Sequence, residues 1–415
     1  MVLMRLGIFL SFLCVSVVLL GCATVAPDKP LATSFILDQP DCGIPGRAVA
    51  AADLQSDYAD LIAGGQRNAV LNFERLGLKA YRLHDYCVAR AAFDEAVRVV
   101  GGIIADDAAA KRARSLFGRE SSKIFKGEPY ERSMLYFYRG LLYYQAGEHD
   151  NARACFRSGQ LADAYAEEEA ARADYAILDY LEGKTDQKYG EDAEDPFRRA
   201  QEDAAGGRFV PSTDPANDLL VIVESGSGPV KSGGGEYDEK LFFSRGQRGG
   251  DRVVLYVDGE PVTEAPRPTE DVYYQATTRG GREIDHVLAG KAQFKDVADT
   301  AGNVMIVGGA ALAASGQHRR DKDLTYTGAG IALGGLLAKG LAAGTKPEAD
   351  VRRWDTLPDR LHVFSVRVGP GAHDIRAEVY AGGEKIAEAV QRGVTISDEG
   401  VERLILLPAV SPEKF

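Results

Sequence analysis
At 415 residues the chain is too long for one ordinary core, so two or three domains are expected. Its 45% hydrophobic and 27% charged residues are the composition of a folded protein. A net charge of −12 argues against a broad nucleic-acid footprint, because a polyanion would be repelled, and leaves room only for local basic patches.

The amino terminus carries Arg5, a nearly continuous apolar run over residues 6–20, and then Leu19, Leu20, Gly21 and Cys22. This order of charge, apolar stretch and small residue is that of a signal peptide, and it resembles the lipobox of bacterial lipoproteins. The resemblance implies removal of residues 1–21 and lipidation of Cys22. With Ala23 in the second place, it implies the periplasmic face of the outer membrane of a Gram-negative cell. A plain transmembrane anchor is the alternative, for which the apolar run is short. Each buried acyl methylene contributes about 0.8 kcal/mol, so several chains on one cysteine hold a protein firmly. Residues 24–40, punctuated by Pro27, Pro30 and Pro40, read as the start of a tether and lead-in over 22–65. Cys42, Cys87 and Cys155 then remain. An exported compartment permits a disulfide; the pairing stays open, and Cys87 and Cys155 are expected as small buried residues on second helices of hairpins.

Residues 130–160 predict two helices joined by a turn at Gly147, with apolar residues at steps of three and four on both sides. An upstream copy carries Tyr86 and places Phe73, Gly77, Ala80, Ala89 and Phe93 at offsets matched by Tyr136, Gly140, Tyr143, Ala152 and Phe156. The pattern is similar to the tetratricopeptide repeat: the glycines and alanines let helices cross closely, and the phenylalanines fill the groove between them. Gly147 and Gly159 stand where the first copy has His84 and Ala96. A weaker third unit, with helices at 175–181 and 193–200 and Phe197 in the large-residue place, completes the minimum for a stable array. Such arrays bind partners in a concave groove, for which Tyr136, Tyr138, Tyr143 and Tyr144 are the candidate lining residues. The alternative is that these aromatics belong to the core.

The expected fold is therefore α+β and multidomain. A helical repeat array (66–205) and a Gly/Pro-rich linker (206–218) lead into an antiparallel β-sandwich-like domain (219–415) with a helical insertion at 285–345. Strands are predicted at 219–224, 253–257, 361–368, 373–380 and 401–407, with a tight turn at Asp258-Gly259 and a hairpin through Gly369-Pro370-Gly371. The run Ser225-Gly226-Ser227-Gly228-Pro229-Val230-Lys231-Ser232 is not a phosphate loop, because Val230 rather than glycine precedes Lys231. Two Ala/Gly-rich apolar segments, 303–316 and 328–344, flank a polar turn with His318, Arg319, Arg320, Asp321 and Lys322. Both are short for a membrane span and the second contains Lys339, so packing as a hairpin on the protein is preferred to membrane contact or an oligomer interface.

No metal or cofactor motif is present: the six histidines are scattered, and there is neither a Cys-x-x-Cys nor a Gly-x-Ser-x-Gly. Only a carboxylate pair assembled by the fold would leave room for catalysis. The lipobox and repeats, together with residues 127–134 and Trp354-Asp355-Thr356-Leu357-Pro358, make the chain resemble a family of largely uncharacterised tetratricopeptide-type bacterial lipoproteins. Some of these are encoded near activators of penicillin-binding proteins. That resemblance implies a non-catalytic envelope adaptor or assembly factor with an envelope protein as partner. The alternative is a structural or export component whose Ala/Gly-rich hairpin contacts or inserts into a membrane.

Overall fold
A computed structural model describes residues 51–105, 124–163, 174–278, 348–398 and 400–410, with further single residues and short runs between 303 and 336. The signal segment, Cys22, Cys42 and the tether up to residue 50 lie outside the described residues. Helices occupy the N-terminal half and sheets the C-terminal half, a mixed α/β chain.

The first described helix, α1 (Ala51–Gly64), falls in the stretch read as lead-in. Three helical hairpins follow: α2 (Ala69–Arg82) with α3 (Tyr86–Ala105), α4 (Pro129–Gln145) with α5 (His149–Asp163), and α6 (Ala176–Tyr189) with α7 (Glu194–Ala204). One contact recurs in all three. A Cβ added at Gly77 would stand 2.7 Å from the Phe93 ring, at Gly140 2.4 Å from Phe156, and at Gly183 2.6 Å from Phe197. The bare backbone is thus what allows each aromatic to seat between its two helices. Seven residues after each of these glycines the chain turns through the left-handed region, at His84 (φ 67°), Gly147 (φ 74°) and Gly190 (φ 68°). At all three turns, amides just past the helix return to carbonyls of its last turn: Asp85 N to Ala80 O, Glu148 N to Tyr143 O and Glu191 N to Asp186 O. His84 therefore does in the first hairpin what glycine does in the other two. Ion pairs in matching places, Arg90 to Glu148 and Arg153 to Glu191, tie each hairpin to the next.

Among the described residues, ten strands form the other half. Strand β1 (Leu219–Ser225) lies at the centre of the sheet β10-β1-β7-β6, with β6 (Glu270–Asp271), β7 (Arg360–Val366) and β10 (Arg403–Ala409). A second sheet has the order β5-β4-β8-β9, from β4 (Arg252–Val257), β5 (Glu260–Ala265), β8 (Gly371–Ala381) and β9 (Glu384–Ile396). A small hairpin, β2 (Val230–Gly234) with β3 (Lys240–Ser244), stands apart. The first sheet is a middle layer. Leu220, Ile222, Leu361, Val363, Leu404 and Leu406 pack with the helices, while Leu219, Val221, Val223, Phe364, Ile405 and Leu407 pack with the second sheet.

Several expectations are corrected here. The pairing is not purely antiparallel, since β1 runs parallel to β10 from Leu219 beside Arg403 to Ser225 beside Ala409. Both strands are continuous apolar runs buried on two faces, the pattern that parallel pairing favours. Gly369-Pro370-Gly371 does not close a hairpin; it carries the chain from β7 in one sheet to β8 in the other. The hairpin partner of β8 is β9, reached through Gly382 and Gly383, both at positive φ. The Asp258-Gly259 turn joins β4 to β5, with φ of 53° and 91°. Residues 206–218 are held between layers: Phe209 N donates to Pro268 O, and Tyr180 donates to Ser212 O at 2.7 Å. In the insertion after helix α8 (Val272–Thr278), the described residues between 303 and 336 are helical. Val304, Val307, Tyr326, Leu333 and Leu336 are 56–73% exposed, so these side chains do not pack on the body of the protein as preferred from sequence. Among the described residues no helix is long and apolar enough to cross a membrane.

Gly140→Ala is expected to cost about 1–3 kcal/mol through overpacking against Phe156. Adding Phe156→Leu should cost less than the two single changes summed, as measured by the urea midpoints of the four proteins. Strict additivity would mean that the contact does not set the helix spacing.

Candidate functional site
The face of α4 begins from its sequence: Glu128 and Glu131 form a capping box around Pro129, which fixes where the helix starts and how its faces turn. The four tyrosines of the candidate groove then divide between two environments. Tyr138 and Tyr144 are buried against the chain's own sheet half, where Tyr138 donates to Glu224 of β1 and Tyr144 donates to Glu402 at 2.5 Å. Tyr136 and Tyr143 are half-buried on another stripe of α4, with Arg132 and Arg139 at helical spacing. The Arg139 guanidinium lies 3.4 Å from the centre of the Tyr143 ring and Arg90 lies 5.7 Å from it. Arg139 also reaches Asp94 of α3 at 2.6 Å. As a groove for an outside partner the set of four is therefore corrected: two rings are already taken.

What takes them is a segment of the same chain. Residues 351–359 run from the insertion to β7, and Trp354, the one tryptophan, is 1% exposed. Its ring stands 5.8 Å from Tyr138 and 6.2 Å from Phe93, and its indole N–H donates to Thr356 Oγ1 at 2.8 Å. Asp355 pairs with Arg75 of α2 at 2.7 Å. The Trp-Asp-Thr-Leu-Pro motif is thus what the inner face of the helices holds.

Three buried charge clusters lock this arrangement. Arg82 of α2 meets Glu224 at 2.7 Å with both side chains fully buried, and its other nitrogen donates to Thr356 O at 2.9 Å. Lys184 of α6 meets Glu402 at 2.8 Å. Lys231 of β2 meets Glu131 at 2.6 Å, and Glu131 also accepts the backbone N–H groups of Glu128 and Trp354. Lys231 is the lysine of the glycine-bearing run, and its ammonium group is spent on Glu131. Beside them Glu74 is fully buried without a hydrogen bond, and burial followed by the charge of Glu131 holds its carboxyl well above the usual range. Each partnered carboxylate here meets a cation and at least one further donor, an arrangement that holds surfaces together.

Of the cysteines, Cys155 is a free thiol that burial pushes up to about 12, which makes it a poor nucleophile. Cys87 is disulfide-bonded, which corrects its reading as a small buried residue; its partner lies outside the described residues. Among the described residues no group of His, Cys, Asp and Glu side chains could hold a metal. His373 pairs with Asp258 at 2.7 Å, and His149 packs edge-on against Tyr144. His362, on the central strand β7, is fully buried with neither ring nitrogen hydrogen-bonded by a side chain or backbone group. The buried glutamates were not singled out in the sequence; the only signal for them was a lone acid at the end of each apolar run, Glu224 after Leu-Leu-Val-Ile-Val and Glu402 before Leu-Ile-Leu-Leu. Compared with protein-family models, curated proteins and solved structures, the chain matches none.

Replacing Glu224 with Leu should cost about 3–5 kcal/mol, because Arg82 is left charged and dry. The double change Arg82→Met/Glu224→Leu should recover most of that loss in urea unfolding. Burial, with Arg360 next, pushes the His362 imidazole from 6.5 down to about 3. The unfolded chain takes up a proton below about pH 6.5 that the folded chain refuses, so this contribution is intact above that pH and is lost as pH falls towards 3. The expected loss between pH 7 and pH 5 is about 2 kcal/mol. His362→Leu should flatten that part of the pH profile, and an unchanged slope would show that His362 does not cause it.

Proposed function
We propose that the chain is a non-catalytic envelope lipoprotein, anchored through acylated Cys22, that acts as a protein-interaction adaptor or assembly factor. Its helical half is read as a tetratricopeptide-type array, supported by the threefold recurrence of the glycine–phenylalanine contact and of the left-handed turn. Its strand half is read as a sandwich-like domain, supported by two sheets sharing one apolar core. In such arrays a partner usually occupies the inner face. Here Trp354, Glu224 and Glu402 fill it, so the partner surface is assigned to the stripe bearing Tyr136 and Tyr143. The observation that carries this reading is the partly exposed Tyr143 ring, with the Arg139 and Arg90 guanidinium groups 3.4 and 5.7 Å from its centre, because tyrosine and arginine are enriched in interface hot spots. The double variant Tyr136→Ala/Tyr143→Ala should lose its partner in pull-downs from intact envelopes while keeping its urea midpoint. Unchanged recovery of the same partner would overturn this surface.

A second reading is favoured by the insertion. Val304 with Val307, and Leu333 with Leu336, are exposed pairs three residues apart, and the sequence between the two segments carries Arg319, Arg320 and Lys322 with Asp321 and Asp323. Apolar faces beside basic groups are what an anionic lipid surface attracts. The full chain with Cys22→Ala should float with vesicles containing anionic phospholipid, and Val307→Asp/Leu333→Asp should abolish flotation. Equal flotation of both proteins would remove the insertion as the membrane contact.

A further inference from the structure
At the seam between the end of α7, the residues that follow it, and the β5–β6 connection lies a cavity of about 530 Å³, within the range of small-molecule sites. None of its lining residues belongs to the α4 stripe or to the described residues between 303 and 336. Its walls offer hydrogen-bonding atoms of both kinds that the protein leaves unused. Arg360, 7% exposed, donates one N–H to Gly250 O at 3.0 Å, but its buried Nε makes no hydrogen bond and stands 3.6 Å from Asp271 and 3.7 Å from Asp359. Asp203 Oδ2 is buried and has no hydrogen-bond partner. Burial and the hydrogen bond shared with Asp179 push its carboxyl above the usual carboxylate range. At the rim, Arg267 is exposed, and among the described residues no hydrogen bond or ion pair engages its guanidinium. One wall is the Tyr274 ring, 39% exposed, held by its hydroxyl to Asp174 at 3.2 Å and by the Arg208 guanidinium 5.2 Å from its centre.

A strongly anionic or cationic ligand is a poor match, because Arg267 and Arg360 share the walls with Asp203, Asp251 and Asp271. A ligand whose groups each donate and accept can satisfy both signs at once, and hydroxyls do so. An exposed aromatic ring adds a flat apolar surface fixed at its polar end. A sugar ring combines these properties, with a rim of hydroxyls around an apolar C–H face. We propose that this seam cavity is a saccharide-binding site, in which Tyr274 stacks on a sugar ring while Arg267, Arg360 and Asp203 bind its hydroxyls. The assignment does not depend on the adaptor reading, since it concerns different residues and a different class of ligand.

The test titrates the full chain with three defined probes, chitobiose, maltose and the dipeptide Gly-Lys, followed by calorimetry or ligand-observed NMR. Saturable binding of at least one disaccharide is expected, weakened tenfold or more in Tyr274→Ala and in Arg267→Ala. Tyr274→Phe, which keeps the ring, should retain most of the affinity. Both positions are solvent-exposed, and an unchanged urea midpoint checks that the variants fold. The proposal is overturned if neither disaccharide binds, if binding is the same in both alanine variants, or if Gly-Lys alone binds. Partner recovery in the Tyr136→Ala/Tyr143→Ala pull-down has no bearing on any of these outcomes.

Discussion
Three glutamates without access to water hold the helical half to the strand half. Glu131, Glu224 and Glu402 each face a cation from the opposite half: Lys231, Arg82 and Lys184. Taking such charges out of water costs several kcal/mol per ion, and attraction in the dry interior offsets this only when geometry is good and the remaining lone pairs are filled. Here tyrosine hydroxyls and backbone N–H groups supply further donors. Apolar packing alone would tolerate sliding of helices over a flat sheet face. Paired charges with fixed partners do not, so these clusters define the register between the two layers.

That register explains why the middle sheet has no free face. Its odd and even positions point into two different cores, and the helices stand where a soluble sheet would otherwise be wetted. It also explains the fate of the helical inner surface. Trp354 and the segment that carries it fill that surface, packed against Tyr138 and Phe93.

The hairpins were legible because their signal is steric and local. A glycine, a turn seven residues later and a phenylalanine further on describe one packing event, and the structure repeats it three times. The third copy was read too short for a physical reason. Glu182, Lys184 and Asp186 resemble a solvated helix end, yet all three are buried and paired with Arg157, Glu402 and Arg153. Strand β9 escaped notice because it is an edge strand with mixed exposed charges, and its alternation is weak. The parallel neighbour of β1 was not readable, since nothing in Leu-Ile-Leu-Leu states the direction of its partner. The division of the four tyrosines was hidden as well. Helical spacing fixes which rings share a stripe, but what faces that stripe is decided by residues 80 or more positions away.

Pairing β1 with β10 brings together segments about 180 residues apart, and Glu402 immediately precedes the second of them. Contacts so distant along the chain form late, because closing a long loop comes before any reward. The central layer, and with it the clamp on the helices, therefore cannot assemble until nearly the whole polypeptide is available. Cutting it anywhere before residue 402 would leave Leu219–Ser225 as an unprotected apolar edge and would strand Lys184 without its counter-charge.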